Sequence, residues 1–292
     1  MENITRIIIL GDSGYIGGSL KNSLNEKFPD IETLGFSFPE VDLTKNNDAL
    51  QLSQYVIPGT VIVMCSGIKK QYGDSLEIFE QNLKMVINVC KNLLSDNLLR
   101  FLFVSSAEVY GEDLNDLFIT EKTQAAPTSY YGMAKYISEL IIKKSLAAYP
   151  KTSYIILRPA LIFGPGEEAS FYGPSGFMKA AVNNQEIVLW GDGSELREFV
   201  YINDLIFVVN GPGQLATFMP DCSYIMMNAL PEGSVVTTKE SIKARGYDIG
   251  ENYRWATPDQ RQVFKPDTYE NIINEFNRFV EEFGKPGSVQ GQ

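Results

Sequence analysis

The feature that most restricts this chain is a short apolar run, Ile7-Ile8-Ile9-Leu10, that breaks at Gly11-Asp12-Ser13-Gly14-Tyr15-Ile16-Gly17. A continuous β-branched run marks a strand buried on both faces, as in a parallel sheet. Leu20 and Leu24 then follow with helical spacing, so the glycines lie in a strand–turn–helix unit. There Gly11 makes the tight turn, Gly14 allows close approach and Gly17 lets helix and strand pack. Backbone N–H groups at such a helix start, aided by the helix dipole, suit a pyrophosphate. Gly11, Ser13, Gly14, Tyr15 and Ile16 are therefore candidate dinucleotide-binding positions, set against the plainer reading of a bare strand–helix turn.

The same alternation continues down the chain. Strands are expected at Ile31–Phe36, Val61–Met64, Leu102–Val104 and Tyr154–Leu157, and helices at about 78–94 and 127–149. Ser129 or Thr128 can cap the last helix, and Pro150 marks its end. Strands alternating with helices over residues 7–160 predict an α/β fold, a Rossmann-type doubly wound parallel sheet. After Gly164-Pro165-Gly166 glycine, proline and asparagine become frequent and elements shorten. The expected division is 1–164 for the nucleotide-binding domain and 165–292 for a smaller C-terminal α/β substrate lobe, with some interleaving. The tail after Gly284 reads as a frayed end.

Composition removes several function classes. The chain has 25 Lys+Arg against 36 Asp+Glu, a formal net charge of −11, and no long basic run, which disfavours nucleic acid. It has no histidine, which excludes Ser-His-Asp and Cys-His catalysis and His-ligated zinc. Its cysteines, Cys65, Cys90 and Cys222, form no CxxC, so no metal site is expected and a reduced, cytoplasmic protein is. No apolar stretch is long enough to span a membrane.

A histidine-free enzyme needs another proton carrier. Tyr131 and Lys135 are spaced i, i+4 on the expected helix and share a face. A lysine ammonium beside a phenol is expected to lower the phenol's pKa and make Tyr131 a general acid/base. Ser106, at a strand's carboxyl end, can polarise a carbonyl there. The plain alternative is an amphipathic surface helix. At the end of the second strand, where an acid selects NAD and an arginine NADP, the chain offers only Ser37. That leaves a lean to NAD over NADP. Asp42, before Leu43, is either an adenine contact or a turn cap.

Taken together, these residues resemble the extended short-chain dehydrogenase/reductases, in particular the NAD-dependent epimerase/dehydratase family that modifies nucleotide sugars. The matching pieces are Gly11-x-x-Gly14-x-x-Gly17, Asp42-Leu43, Asn82, Val104-Ser105-Ser106-Ala107-Glu108-Val109-Tyr110-Gly111, Tyr131-x-x-x-Lys135 with Glu139, Arg158-Pro159, Gly164-Pro165-Gly166, and Gly191-Asp192-Gly193-Ser194 leading to Arg197 and Asp204. The resemblance implies a catalytic Ser106, Tyr131 and Lys135. It implies cofactor contacts from Asp42, Leu43, Cys65-Ser66-Gly67, Asn82 and Pro159, and an Arg197 that clamps a substrate diphosphate beside Ser106. Glu108 is a further catalytic candidate, while Ala107 replaces the acid that dehydratases use. The implied reaction passes through a transient sugar ketone, epimerase-type. The alternatives are an NADPH-consuming sugar reductase and a non-catalytic NAD(P)-binding sensor or scaffold. A homodimer is implied by resemblance as well.

Overall fold

The computed structural model describes residues 4–111, 119, 123–167, 175–177, 183, 187–188, 199–203, 205–206, 224–226 and 263–264. Two compact units make up the chain: Met1–Ala160 with Asp204–Ser234, and Leu161–Asn203 with Val235–Gln292.

In the first unit the elements run β1 (Arg6–Leu10), α1 (Tyr15–Lys27), β2 (Glu32–Phe36), α2 (Asn46–Leu52), β3 (Thr60–Met64), α3 (Leu76–Leu93), β4 (Leu98–Val104), α4 (Tyr130–Leu146) and β5 (Ser153–Arg158). Those in the second are β6 (Leu161–Phe163), β7 (Ile187–Val188), β8 (Phe199–Tyr201) and β10 (Val263–Phe264), while β9 (Tyr224–Met226) returns to the first. The main sheet has the order β2-β1-β3-β4-β5-β9, and every neighbouring pair is parallel. The expected parallel α/β sheet is therefore present.

Alternation along the strands builds the core. Ile8, Leu10, Ile62, Met64, Phe101, Phe103 and Ile156 share one buried cluster with Val86, Val89 and Leu93 of α3 and Ile142 and Leu146 of α4. The intervening residues Ile7, Ile9, Val61, Val63 and Leu102 are buried as well. Two covered faces explain why these strands read as unbroken apolar runs. On α3, Asn82, Met85, Val86, Val89 and Leu93 form the buried stripe, and Ser75 caps the helix by accepting from the Ile78 N–H at 3.4 Å.

Among the described residues no strand pairs with the outer edge of β2, where the order 3-2-1-4-5-6 would place its strand 3. Between β2 and α2 the chain makes turns instead, with Val41 N donating to Ser37 O at 2.9 Å and Lys45 N to Asp42 O at 2.8 Å. From β1 the chain passes to β2 on one side and later to β3 on the other. That reversal opens a crevice at the carboxyl ends of β1 and β3, where open α/β sheets bind ligands.

In the second unit β6 and β8 pair in parallel and β7 and β10 antiparallel. Phe163 stands 6.2 Å edge-on to Phe199 and 5.5 Å from Tyr201, centroid to centroid. Among the described residues, no helix is long and apolar enough to cross a membrane.

Candidate active site

The glycine turn is built as its spacing requires. Gly11 has φ +91° and donates its N–H to Phe36 O at 2.8 Å. A Cβ at Gly17 would stand 2.1 Å from Gly11 O, so no side chain fits where helix meets turn. At Gly14 a Cβ would meet only Gly11 O, at 3.4 Å, which leaves its outer side open. Helix α1 starts there with no side-chain cap and no acid in its first turn. Its positive dipole end therefore faces this opening without an acidic side chain of its own first turn against it.

Next along the crevice is Cys65-Ser66-Gly67, directly after β3. Cys65 N donates to Leu10 O at 2.9 Å, which extends the β1–β3 pairing by one residue. Asn82 of α3 grips the loop from behind: its Oδ1 accepts from Ile68 N at 2.8 Å and its Nδ2 donates to Ile68 O at 3.1 Å. Both ends of the Asn82 amide are thus committed to loop backbone. A Cβ at Gly67 would stand 3.4 Å from both Asn82 Oδ1 and Lys135 Nζ. The loop after β3 is thereby held against the lysine of α4.

On α4, Lys135 is 7% exposed and donates to Val104 O at 2.7 Å. Its Nζ lies 4.9 Å from the Phe103 ring centroid and 5.7 Å from that of Tyr131. Burial lowers its pKa to about 8, against upward pulls from Cys65 and Glu139. The Tyr131 phenol does not fall as the sequence suggested. Burial pushes it above its ordinary value of 10.0, the Glu108 carboxylate adds to the rise, and a hydrogen bond with the Ser106 side chain opposes it. The Lys135 ammonium is spent on Val104 O and lies over the ring, so desolvation of the phenol dominates. The Cys65 thiol is likewise pushed up to about 12 by burial.

Ser106, two residues past β4, caps a 3₁₀ turn, Ala107–Tyr110, its Oγ accepting from Glu108 N at 3.2 Å. Ala107 N donates to Pro159 O at 2.9 Å, tying this turn to the end of β5. Glu108 is engaged with its own surroundings: Ser129 Oγ donates to its Oε2 at 2.9 Å and Lys70 Nζ lies 3.6 Å away. Ser129 in turn caps α4 by accepting from Gly132 N at 3.0 Å. Gly132 has no room for a Cβ, which would come 2.6 Å from Glu108 O.

A residue that the sequence reading did not single out completes the cap. Asp74 accepts from Tyr131 N at 2.9 Å and from Tyr130 N at 3.2 Å. Its carboxylate thus sits on the first turn of the helix that carries Tyr131, where negative charge is favoured. Beneath the site is a buried network: Glu139 accepts from Ser105 Oγ at 2.5 Å and from Arg158 Nε and Nη2 at 3.0 and 2.5 Å. Arg158 Nη1 also donates to Tyr110 OH at 2.7 Å. One ion pair therefore locks β4, the 3₁₀ turn, α4 and β5 in mutual register.

Asp42 spends its carboxylate on Thr44, accepting from its N at 3.0 Å and Oγ1 at 2.6 Å. This hydrogen bonding, with Lys45 beside it, holds its pKa below the usual value. Leu43 is a buried core residue whose carbonyl accepts from Asn88 Nδ2 at 2.9 Å. The geometry at Asp42 is that of a turn cap. Arg197 and the segment from Gly191 to Glu198 lie outside the described residues. Among the described residues no three His, Cys, Asp or Glu cluster as a metal site would need.

The arrangement matches known proteins over most of its length. A putative UDP-glucose 4-epimerase of Methanocaldococcus jannaschii is 25% identical over 219 residues, covering 68% of this chain and 70% of that one. A crystal structure of dTDP-glucose 4,6-dehydratase from Bacillus anthracis with NAD superposes with a TM-score of 0.66 at 16% identity, covering 94% of this chain and 90% of that one. The UDP-glucose 4-epimerase of Thermus thermophilus, also with NAD, gives a TM-score of 0.63 at 19% identity, covering 91% and 92%. At such identities the structural likenesses speak for the fold. The family model is matched over residues 7–209, which hold the glycine turn, Ser106, Tyr131 and Lys135, and the chain belongs to the NAD dependent epimerase/dehydratase family.

Proposed function

We propose that this protein is an NAD(P)-dependent enzyme that modifies a nucleotide-linked sugar through a transient ketone and returns it as an epimer. The observation that carries this reading is the convergence of Ser106, Tyr131 and Lys135 at the carboxyl edge of the sheet, beside the loop that passes Gly67 against Lys135. The cofactor fits the residues present. The open side of Gly14 and the uncapped start of α1 suit a pyrophosphate. Gly11, Ser13, Gly14, Tyr15 and Ile16 would hold it. Cys65, Ser66 and Gly67 would line the dinucleotide's path, and Lys135 would meet the nicotinamide ribose. The chemistry that a nicotinamide dinucleotide would supply there is reversible hydride acceptance from a sugar carbon.

The protein's own residues handle the proton and the orientation. Tyr131 works as the base only as a phenolate, after giving its own proton to solvent against the opposition of burial; in that form it takes the proton from the sugar hydroxyl, and Ser106 hydrogen-bonds the reacting oxygen. Lys135, whose charge is marginal near pH 8, sets how readily the phenol gives up its own proton. Asp74 and Ser129 hold the start of α4, and so Tyr131, in place. Glu108 belongs to this support, since its carboxylate is engaged by Ser129 and Lys70. With Ala107 beside it, the elimination chemistry of a dehydratase has less footing. Arg197 is assigned to the substrate diphosphate, a task suited to a guanidinium fork. The named activities of the relatives support a nucleoside diphosphate sugar as the substrate class. The second unit is assigned to bind it, in a homodimer working in the cytoplasm.

The test is mass spectrometry of small molecules released from purified protein, followed by a redox balance with a panel of nucleotide sugars. An epimerase retains a dinucleotide and converts sugar with no net change in it. Stoichiometric consumption of added NADPH would replace this reading with a reductase. A protein that binds dinucleotide and turns over no sugar would be a sensor or scaffold.

A further inference from the structure

The end of β2 carries no acid, yet a carboxylate lies over it. Asp12, the second residue of the glycine turn, stands against Gly35, where an added Cβ would come 1.9 Å from Asp12 Oδ2 and 2.7 Å from its Cβ. Glycine at position 35 is what lets the carboxylate lie across the strand. Two contacts hold it there, and a third fixes Ser37. Ser37 Oγ donates to Oδ1 at 2.6 Å and Lys21 Nζ to Oδ2 at 2.7 Å, while Ser13 N donates to Ser37 Oγ at 2.8 Å. Burial pushes the Asp12 carboxyl up, but the hydrogen bonds from Lys21 and Ser37 and the Lys21 charge together hold it below the usual carboxylate range. The Asp12 side chain is 15% exposed, so it keeps an open edge.

Between Asp12 and Ser37 the hydrogen bonding is one-sided. The Ser37 proton goes to Asp12, and the Ser13 N–H goes to Ser37. An ionised carboxylate has about four lone-pair sites and no donor. Two are taken, so what Asp12 and Ser37 still offer is acceptor capacity and a negative charge. Ribose hydroxyls are donors and match it. A 2′-phosphate brings only acceptors and more negative charge, and is opposed by it.

We propose that Asp12, aimed by Ser37 and Lys21, reads the adenosine ribose and makes the site prefer NAD to NADP. The assignment rests on the cofactor reading above and places the discriminating acid in the glycine turn instead of at the β2 end. Lys21 is the competing group, since its remaining N–H donors could serve a phosphate, and the experiment separates the two.

Isothermal titration calorimetry of the full chain with NAD and with NADP gives the ratio of affinities without any turnover. The wild type is expected to bind NAD at least about tenfold more tightly, the size of a charged hydrogen bond gained or lost. Asp12→Asn removes the charge and adds a donor, and should cut that ratio by roughly tenfold. Ser37→Ala removes only the aiming bond and should cut it by less. It also serves as the second variant if Asp12→Asn fails to give a wild-type circular dichroism spectrum. A ratio unchanged in folded Asp12→Asn, or a wild type that prefers NADP, overturns the assignment and leaves cofactor binding standing. Binding of neither dinucleotide overturns both.

Discussion

Gly17 shows how little freedom single positions have here. Its missing side chain is required by Gly11 O, which a Cβ would approach to 2.1 Å. Gly17→Ala must push α1 off the turn, at a cost of about 1–3 kcal/mol. Thermal denaturation should show the drop, and dinucleotide affinity should fall with it. Lys135 carries the opposite kind of cost. Burial brings its pKa from 10.5 to about 8, a penalty on the charged form of roughly 3 kcal/mol. Below pH 8 both folded and unfolded chains hold the proton, so the penalty is present in full. Between pH 8 and 10.5 the unfolded chain holds more protons than the folded one, so stability rises with pH. Lys135→Met should therefore be inactive and yet more stable at pH 7, even after losing the bond to Val104 O. The gap in unfolding free energy between variant and wild type should narrow toward pH 10. Denaturant titrations at pH 7 and 10 check this, and a gap that does not change with pH would contradict the burial of the charge.

At the level of elements, the Glu139–Arg158 pair decides whether β4, α4 and β5 stay in register. Glu139 is fully buried and accepts from Ser105 and Arg158 together. Arg158→Met leaves a buried carboxylate unpaired and should cost about 3–5 kcal/mol. The double variant Arg158→Met/Glu139→Leu should recover much of that stability, because no lone charge remains. It should not recover full activity, because Ser105 would lose the partner that fixes the chain beside Ser106. Chemical denaturation and turnover of the single and double variants give both readouts. A double variant no more stable than the single one would mean that packing, and not the stranded charge, sets the cost.

For the whole molecule, what the sequence made legible followed local rules. Unbroken runs such as Ile7–Leu10 and Val61–Met64 announced strands with two covered faces, and the i, i+4 spacing announced that Tyr131 and Lys135 share a helix. Contacts between distant segments were hidden. Asp74 caps a helix that begins 56 residues later, and Asp12 meets Ser37 only because β1 and β2 pair. No periodicity announces either. That the described segment after β2 forms turns instead of a further edge strand was not visible either, since a turn residue such as Asp42 suits a cap or a loop equally well. The phenol's rise was misjudged for the same reason: spacing gives proximity to Lys135 and says nothing of desolvation.

Whether Tyr131 drives epimerisation is read by nuclear magnetic resonance of a nucleoside diphosphate sugar panel incubated with wild type and with Tyr131→Phe. The swap removes one oxygen and little volume, so the fold and dinucleotide binding should survive it. General acid/base groups contribute about 10²–10⁴-fold in rate. At least one sugar nucleotide should yield a new epimer with the wild type, with no dinucleotide consumed, and conversion by Tyr131→Phe should fall by that factor. Equal conversion by the two proteins would contradict that role of Tyr131.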